Sequence, residues 1–217
     1  MNNEIQYMSR SLFRSKLFLA IETFYLIIFP LLLIYREPEL IHWRLPVMLA
    51  SLIYVFLVMK ITKLSLKNVG FAKTNFLPAT KDLILFTLIG IASLLIGRLF
   101  DSSIWYTKAI MDEVSRDSVL VAIIIYAAIS APLQELIFRG FYLSRLELVL
   151  RNKTYLIWYS AIVFAVIHIP LGNWRITIAS LLMSLVYANN FLKYRNVLAI
   201  SISHTVLGSL MIYLMTL

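Results

Sequence analysis

Few ionisable side chains stand within the apolar stretches of this 217-residue sequence: Glu22, Glu135, Arg139, His168 and His204. Charges in such segments are costly and usually face a bundle interior. Glu135 and Arg139 are four residues apart, so a helix sets them on one face. They form either a self-neutralising ion pair or a carboxylate held in place for acid–base work. Gln134 precedes them, with Pro132 just before and Gly140 just after, in "APLQELIFRG". Pro132 removes a backbone donor and frees the Ala128 carbonyl, and Gly140 permits close helix approach. "FAVIH" puts Phe164 and His168 on one face, and "HTVLG" does the same for His204 and Gly208. One carboxylate and two histidines suit three chemistries. A glutamate can activate water while histidines stabilise an oxyanion. His, His and Glu can ligate zinc with a fourth position open. The same groups can relay protons in a transporter. No H-E-x-x-H, no G-x-S-x-G and no aspartate pair within a span is present. Glu22 is expected to snorkel or to pair with a base such as Arg139. His42, at a span's edge, reads as interfacial.

These side chains must be positioned by membrane helices. The chain is 61% hydrophobic and 14% charged, with a mean hydropathy of +0.85. Soluble domains are nearer half apolar and a quarter charged. A span needs about 20 apolar residues, which predicts seven, near 17–35, 43–61, 80–99, 118–141, 155–171, 174–192 and 196–217. The first follows Arg10, Arg14 and Lys16 but precedes no small-x-small cleavage site, so it reads as a retained helix. Lys and Arg are more than twice as frequent on the N-terminus and loops 2–3, 4–5 and 6–7 as on loops 1–2, 3–4 and 5–6. The acidic residues lean the other way: Glu37, Glu39, Asp101, Asp112, Glu113 and Asp117 against Glu4, Asp82 and Glu147. The pattern places the N-terminus in the cytoplasm. The net charge of +9 then belongs to cytoplasmic loops, and no nucleic-acid partner is expected. No cysteine is present, so there is no disulfide framework and no thiolate metal site. Loop 2–3, "TKLSLKNVGFAKTNFLPAT", is expected on the inner leaflet surface or as a solvated connector.

Register supports a shared site. Glu135 and His168 lie almost equally far from the turn at Asn152, so antiparallel helices bring them to one height. His204 follows the "KYRN" turn too closely to match unless that turn sits deeper in the membrane.

In order and spacing, "QELIFR" (134–139), "FAVIH" (164–168) and "HTVLG" (204–208) resemble the motifs E-E-x-x-x-R, F-x-x-x-H and H-x-x-x-N of the CAAX-protease and bacteriocin-processing (CPBP, or Abi) family of membrane endopeptidases. The resemblance covers about residues 118–212, a core within one membrane domain of residues 1–217. It implies an all-α transmembrane bundle that hydrolyses peptide bonds of membrane-embedded or membrane-anchored substrates in the lipid bilayer. It also implies an integral protein of a bacterial-type inner (plasma) membrane. By the family pattern the first motif carboxylate activates water beside His168. The last histidine, His204, and an asparagine form the oxyanion hole, while Glu135 and Arg139 are structural. Two positions depart from the pattern: Gln134 stands at the water-activating position and Gly208 at the asparagine. An amide is no base at neutral pH, and loss of one oxyanion donor costs about 10²–10³ in rate. The expected catalytic set is therefore Glu135, His168, His204 and Gln134, supported by Arg139, Phe164 and Gly208. Glu135 serves as base only if the helix rotates or unwinds near Pro132. No cofactor is expected, because the one carboxylate already faces an arginine, which disfavours zinc. The competing class is a catalytically impaired relative that keeps the polar pocket to bind or regulate a membrane partner. A small-solute or proton pathway is weaker, lacking repeat symmetry and paired broken helices.

Overall fold

A computed structural model describes residues 12–71, 74–116 and 118–217. Glu4, Arg10, Lys73 and Asp117, which enter the loop charge pattern, lie outside the described residues. Seven helical spans among the described residues are long and apolar enough to cross a membrane. They are α1 (Lys16–Arg36), α2 (Pro38–Thr62), α3 (Phe76–Phe100), α4 (Val119–Glu147), α5 (Lys153–Leu171), α6 (Trp174–Tyr194) and α7 (Val197–Met215). A short helix, Lys108–Arg116, joins α3 to α4. The chain is an integral membrane protein.

Span starts follow local chemistry. Five of the helices begin at a Ser or Asn whose side chain accepts a backbone N–H of the first turn: Ser15 from Phe18, Ser118 from Val121, Asn152 from Tyr155, Asn173 from Arg175, and Asn196 from Ala199. Such caps satisfy donors that a helix start leaves orphaned. The α6–α7 reversal takes only Arg195 and Asn196, with Arg195 at φ 53° in the left-handed region.

The bundle buries polar groups and exposes apolar ones. Leu88, Leu95, Ile124, Ile162, Leu182 and Ile202 are exposed, whereas Glu22, Glu135, Arg139, Arg145, Asn190 and His204 are buried. That inversion is what a lipid solvent selects.

α4 is longer than the sequence predicts and is not a uniform helix. Its α-helical turns at Val119–Ile125, Ala131–Glu135 and Ser144–Glu147 alternate with π-helical windings at Tyr126–Ser130 and Leu136–Leu143. The first winding ends just before Pro132, whose ring and missing N–H perturb the preceding turn. The extension draws Arg145, assigned from sequence to loop 4–5, into the interior, where it is fully buried. Arg145 is the partner of Glu22, at 3.1 Å. The expected Glu22–Arg139 pairing is thus corrected.

Loops 2–3, 4–5 and 6–7 meet at one end. Asn75 donates to the Tyr194 carbonyl, Ser144 to the Asn68 carbonyl, Val197 N–H to the Gly70 carbonyl, and Arg195 pairs with Glu147. Loop 2–3 thus docks on the bundle through Val69 and Gly70, while Lys63, Ser65, Leu66, Lys67 and Asn68 stay exposed. Val69 within it is fully buried. Gly140 admits this loop and not a helix, since a Cβ there would stand 2.7 Å from the Val69 carbonyl oxygen. At the other end Asn173 donates to the carbonyls of Ile104 and Tyr106, and Arg175 lies 4.0 Å from Asp101.

Candidate active site

The α4–α7 contact creates the centre of the site. Glu135 is fully buried, and its Oε1 accepts from Arg139 Nη1 at 3.0 Å. The same oxygen lies 2.6 Å from Nδ1 of His204. Glu135 Oε2 is buried and has no hydrogen-bond partner among the described residues. One carboxylate oxygen is thus doubly held while the other is chemically open.

His204 reaches this height for a reason invisible in the periodicity. The Arg195–Glu147 pair sets the α6–α7 turn level with the end of α4. The stretch from Arg195 to His204 is shorter than that from Glu135 to Glu147. The latter contains the wider π winding, which fits more residues into each turn and so climbs less per residue. Loop 2–3 roofs the turn through the Phe71–Asn196 bridge.

Phe164 of α5 spaces the polar groups. The Arg139 guanidinium lies 3.8 Å above its ring centroid, and Phe138 packs edge-on at 5.3 Å. A cation over an aromatic face is stabilised by the ring quadrupole. α5 runs antiparallel to α4, so His168, one turn past Phe164, comes to the Glu135 side of that ring. The His168 ring stands 4.7 Å and the His204 ring 5.9 Å from Phe164. His168 Nδ1 lies 2.7 Å from the Phe164 carbonyl oxygen. A carbonyl only accepts, so Nδ1 carries the proton. Nε2 of the neutral ring then holds the lone pair.

Residues 116–210 match the family model described as type II CAAX prenyl endopeptidase, Rce1-like. This segment of the chain is similar to the Rce1-like, CAAX-protease family. No curated protein and no solved structure matches the chain.

Within the Rce1-like segment the structure gathers Glu135, Arg139, Phe164, His168 and His204. Gln134 is half-buried and makes no side-chain hydrogen bond among the described residues. Gly208 lies one turn beyond His204 and is buried. Among the described residues no group of three His, Asp or Glu side chains converges as a metal ion requires.

Two tyrosines complete the enclosure and were not singled out from sequence. Tyr187 of α6 stands 6.1 Å from the His204 ring and donates to Ser203 at 2.8 Å. Tyr126 of α4 packs edge-on to His204 at 6.0 Å. Tyrosines are common in this chain, with 12 in all, so nothing in the sequence sets these two apart.

Proposed function

We propose that the protein is an intramembrane endopeptidase. It hydrolyses peptide bonds of membrane-embedded or membrane-anchored substrates, working in a bacterial-type inner (plasma) membrane with its N-terminus in the cytoplasm. The observation that carries the reading is the Glu135 carboxylate. One of its oxygens is fixed by Arg139 and His204, and the other is left without a protein partner in a buried site. A buried anionic oxygen with no partner is costly, and a water molecule is the small donor that satisfies it.

In this mechanism Oε2 of Glu135 accepts a hydrogen bond from the nucleophilic water and orients it. The water oxygen attacks the scissile carbonyl carbon as its proton passes to Nε2 of His168. His204, in its doubly protonated form, gives Nδ1–H to Glu135 and presents Nε2–H to the oxyanion. Collapse breaks the C–N bond, and the proton on His168 goes to the leaving amine. The role that Gln134 cannot fill is divided between Glu135 and His168. No metal is used in this reading, and it is supported by the engagement of Glu135 Oε1 with two cationic or donor groups.

The test is cleavage of fluorescence-quenched, membrane-tethered peptides, with and without a prenylated C-terminal cysteine, by the purified protein. Wild type cleaves at least one, and Glu135→Ala and His168→Ala each lower kcat about 10²–10⁴-fold. Gln134 and Gly208 favour a second reading, a membrane binding or regulatory protein that retains the pocket. That reading wins if wild type is inert while Gln134→Glu gains cleavage.

A further inference from the structure

Tyr126 and Gly208 are left unused by the mechanism above, yet they meet beside His204. A Cβ built on Gly208 would overlap the hydroxyl and ring of Tyr126. The phenol therefore fills the space that any side chain at 208 would take. This contact is pinned by the Thr205 hydroxyl, which donates to the Ala127 carbonyl at 3.3 Å and ties α7 to α4 at this level. The π winding at Tyr126–Ser130 begins at this residue, so the ring's direction is set by irregular backbone.

The hydroxyl is also unlike its neighbours. Tyr54 donates to Glu22 at 2.5 Å, Tyr142 bonds Thr23 at 2.6 Å and Tyr187 donates to Ser203 at 2.8 Å. Tyr126 is only partly buried, its hydroxyl makes no hydrogen bond among the described residues, and its ring is in edge contact with His204. A donor kept unpaired next to the histidine that holds the oxyanion is a preorganised group waiting for developing charge.

We propose that Tyr126 supplies the second oxyanion donor, its O–H acting beside His204 Nε2–H in the place that a side chain at position 208 would occupy. The proposal rests on the peptidase reading. It explains how a glycine at 208 is compatible with an active site: the donor comes from α4 instead of α7. No covalent bond forms or breaks at Tyr126. Its O–H hydrogen bond strengthens as the carbonyl oxygen gains charge and relaxes as the intermediate collapses.

The experiment uses the full chain in detergent or nanodiscs, with the fluorescence-quenched peptides above. Tyr126→Phe lowers kcat about 10²–10³-fold with KM nearly unchanged, as removal of an oxyanion donor does. Its melting temperature stays at the wild-type value, because the lost hydroxyl made no bond within the protein. Tyr126→Ala/Gly208→Asn vacates the ring's space, places an amide donor there, and recovers most of the lost kcat, whereas Tyr126→Ala alone does not. A Tyr126→Phe variant with wild-type kcat overturns the proposal. Binding of a trifluoromethyl-ketone analogue of the same peptides, whose hydrate mimics the tetrahedral oxyanion, separates the two readings. If wild type cleaves nothing, the peptidase reading fails. The Tyr126 assignment survives that only if Tyr126→Phe weakens analogue binding at least about tenfold. Equal binding by both proteins, or binding by neither, overturns it.

Discussion

Glu135 illustrates how one carboxylate is given two functions by its two oxygens. Oε1 is engaged by both Arg139 and His204, while Oε2 has no hydrogen-bond partner among the described residues. The second buried pair behaves differently. Glu22 Oε1 accepts from the Tyr54 hydroxyl, and Oε2, which has no hydrogen-bond partner among the described residues, lies 3.1 Å from the Arg145 guanidinium and is engaged by its charge. Beside it Thr23 bridges Tyr142 and Tyr159. This cluster binds α1 and α2 to the end of α4 and has no free basic atom on its carboxylate facing a histidine. Removing one partner of such a pair strands a buried charge. Arg145→Met is expected to destabilise the protein by about 3–5 kcal/mol, and Glu22→Leu/Arg145→Met to recover most of that. Denaturant unfolding in mixed micelles checks both. A double variant as unstable as the single would show that the pair's contribution lies elsewhere.

At the scale of elements, α4 and loop 2–3 do the positioning. Glu135, and not Gln134, makes the α7 contact, on a stretch of α4 flanked by two π windings. Loop 2–3 then holds α4 and the α6–α7 turn in register, through Val69 against Gly140 and Gly70 against Phe191 and Val197. Gly70 has a φ of 93°, and a Cβ there would come within 2.7 Å of the Phe191 ring, so the position admits little besides glycine. Gly140→Ala places a methyl against the Val69 carbonyl. It is expected to cost about 1–3 kcal/mol and to undock the loop, so that trypsin cuts at Lys63 or Lys67 faster than in wild type. Unchanged proteolysis would mean that the loop is held without this approach.

At the scale of the molecule, the loops sort into two groups, one at each end of the bundle. One end carries the Glu147–Arg195 and Asp82–Lys193 pairs with loop 2–3, and the other carries Asp101 near Arg175. Among the groups at that second end, the Asp101 carboxyl is held below the ordinary carboxylate range by the Ser103 hydroxyl and backbone N–H. With the more basic end facing the cytoplasm, single cysteines at Ser65 and Arg151 are expected to resist a membrane-impermeant thiol reagent in intact cells. A cysteine at Ser102 is expected to react. The chain has no native cysteine, so each signal is unambiguous. Reaction of the first two in intact cells would invert the assigned orientation.

The sequence by itself determined the class of molecule and the family that residues 116–210 resemble. Twenty-residue apolar runs mark the spans, and motif spacing on α4 and α5 marks Glu135 and His168 as side chains that can share a height. Arg145 was misplaced for the same reason that Tyr126 was overlooked: both depend on how long and how irregularly α4 winds. Only the tertiary structure decided that Arg145 turns inward to Glu22, that the α6–α7 turn lies level with Glu147, that Glu135 rather than Gln134 meets His204, and that the room beside Gly208 belongs to a phenol. Each of these outcomes is a contact between segments far apart in the chain. Helical periodicity reports which residues share a face, but helix rotation and relative depth are set by packing against other elements, through one close approach at Gly140 and one at Gly208.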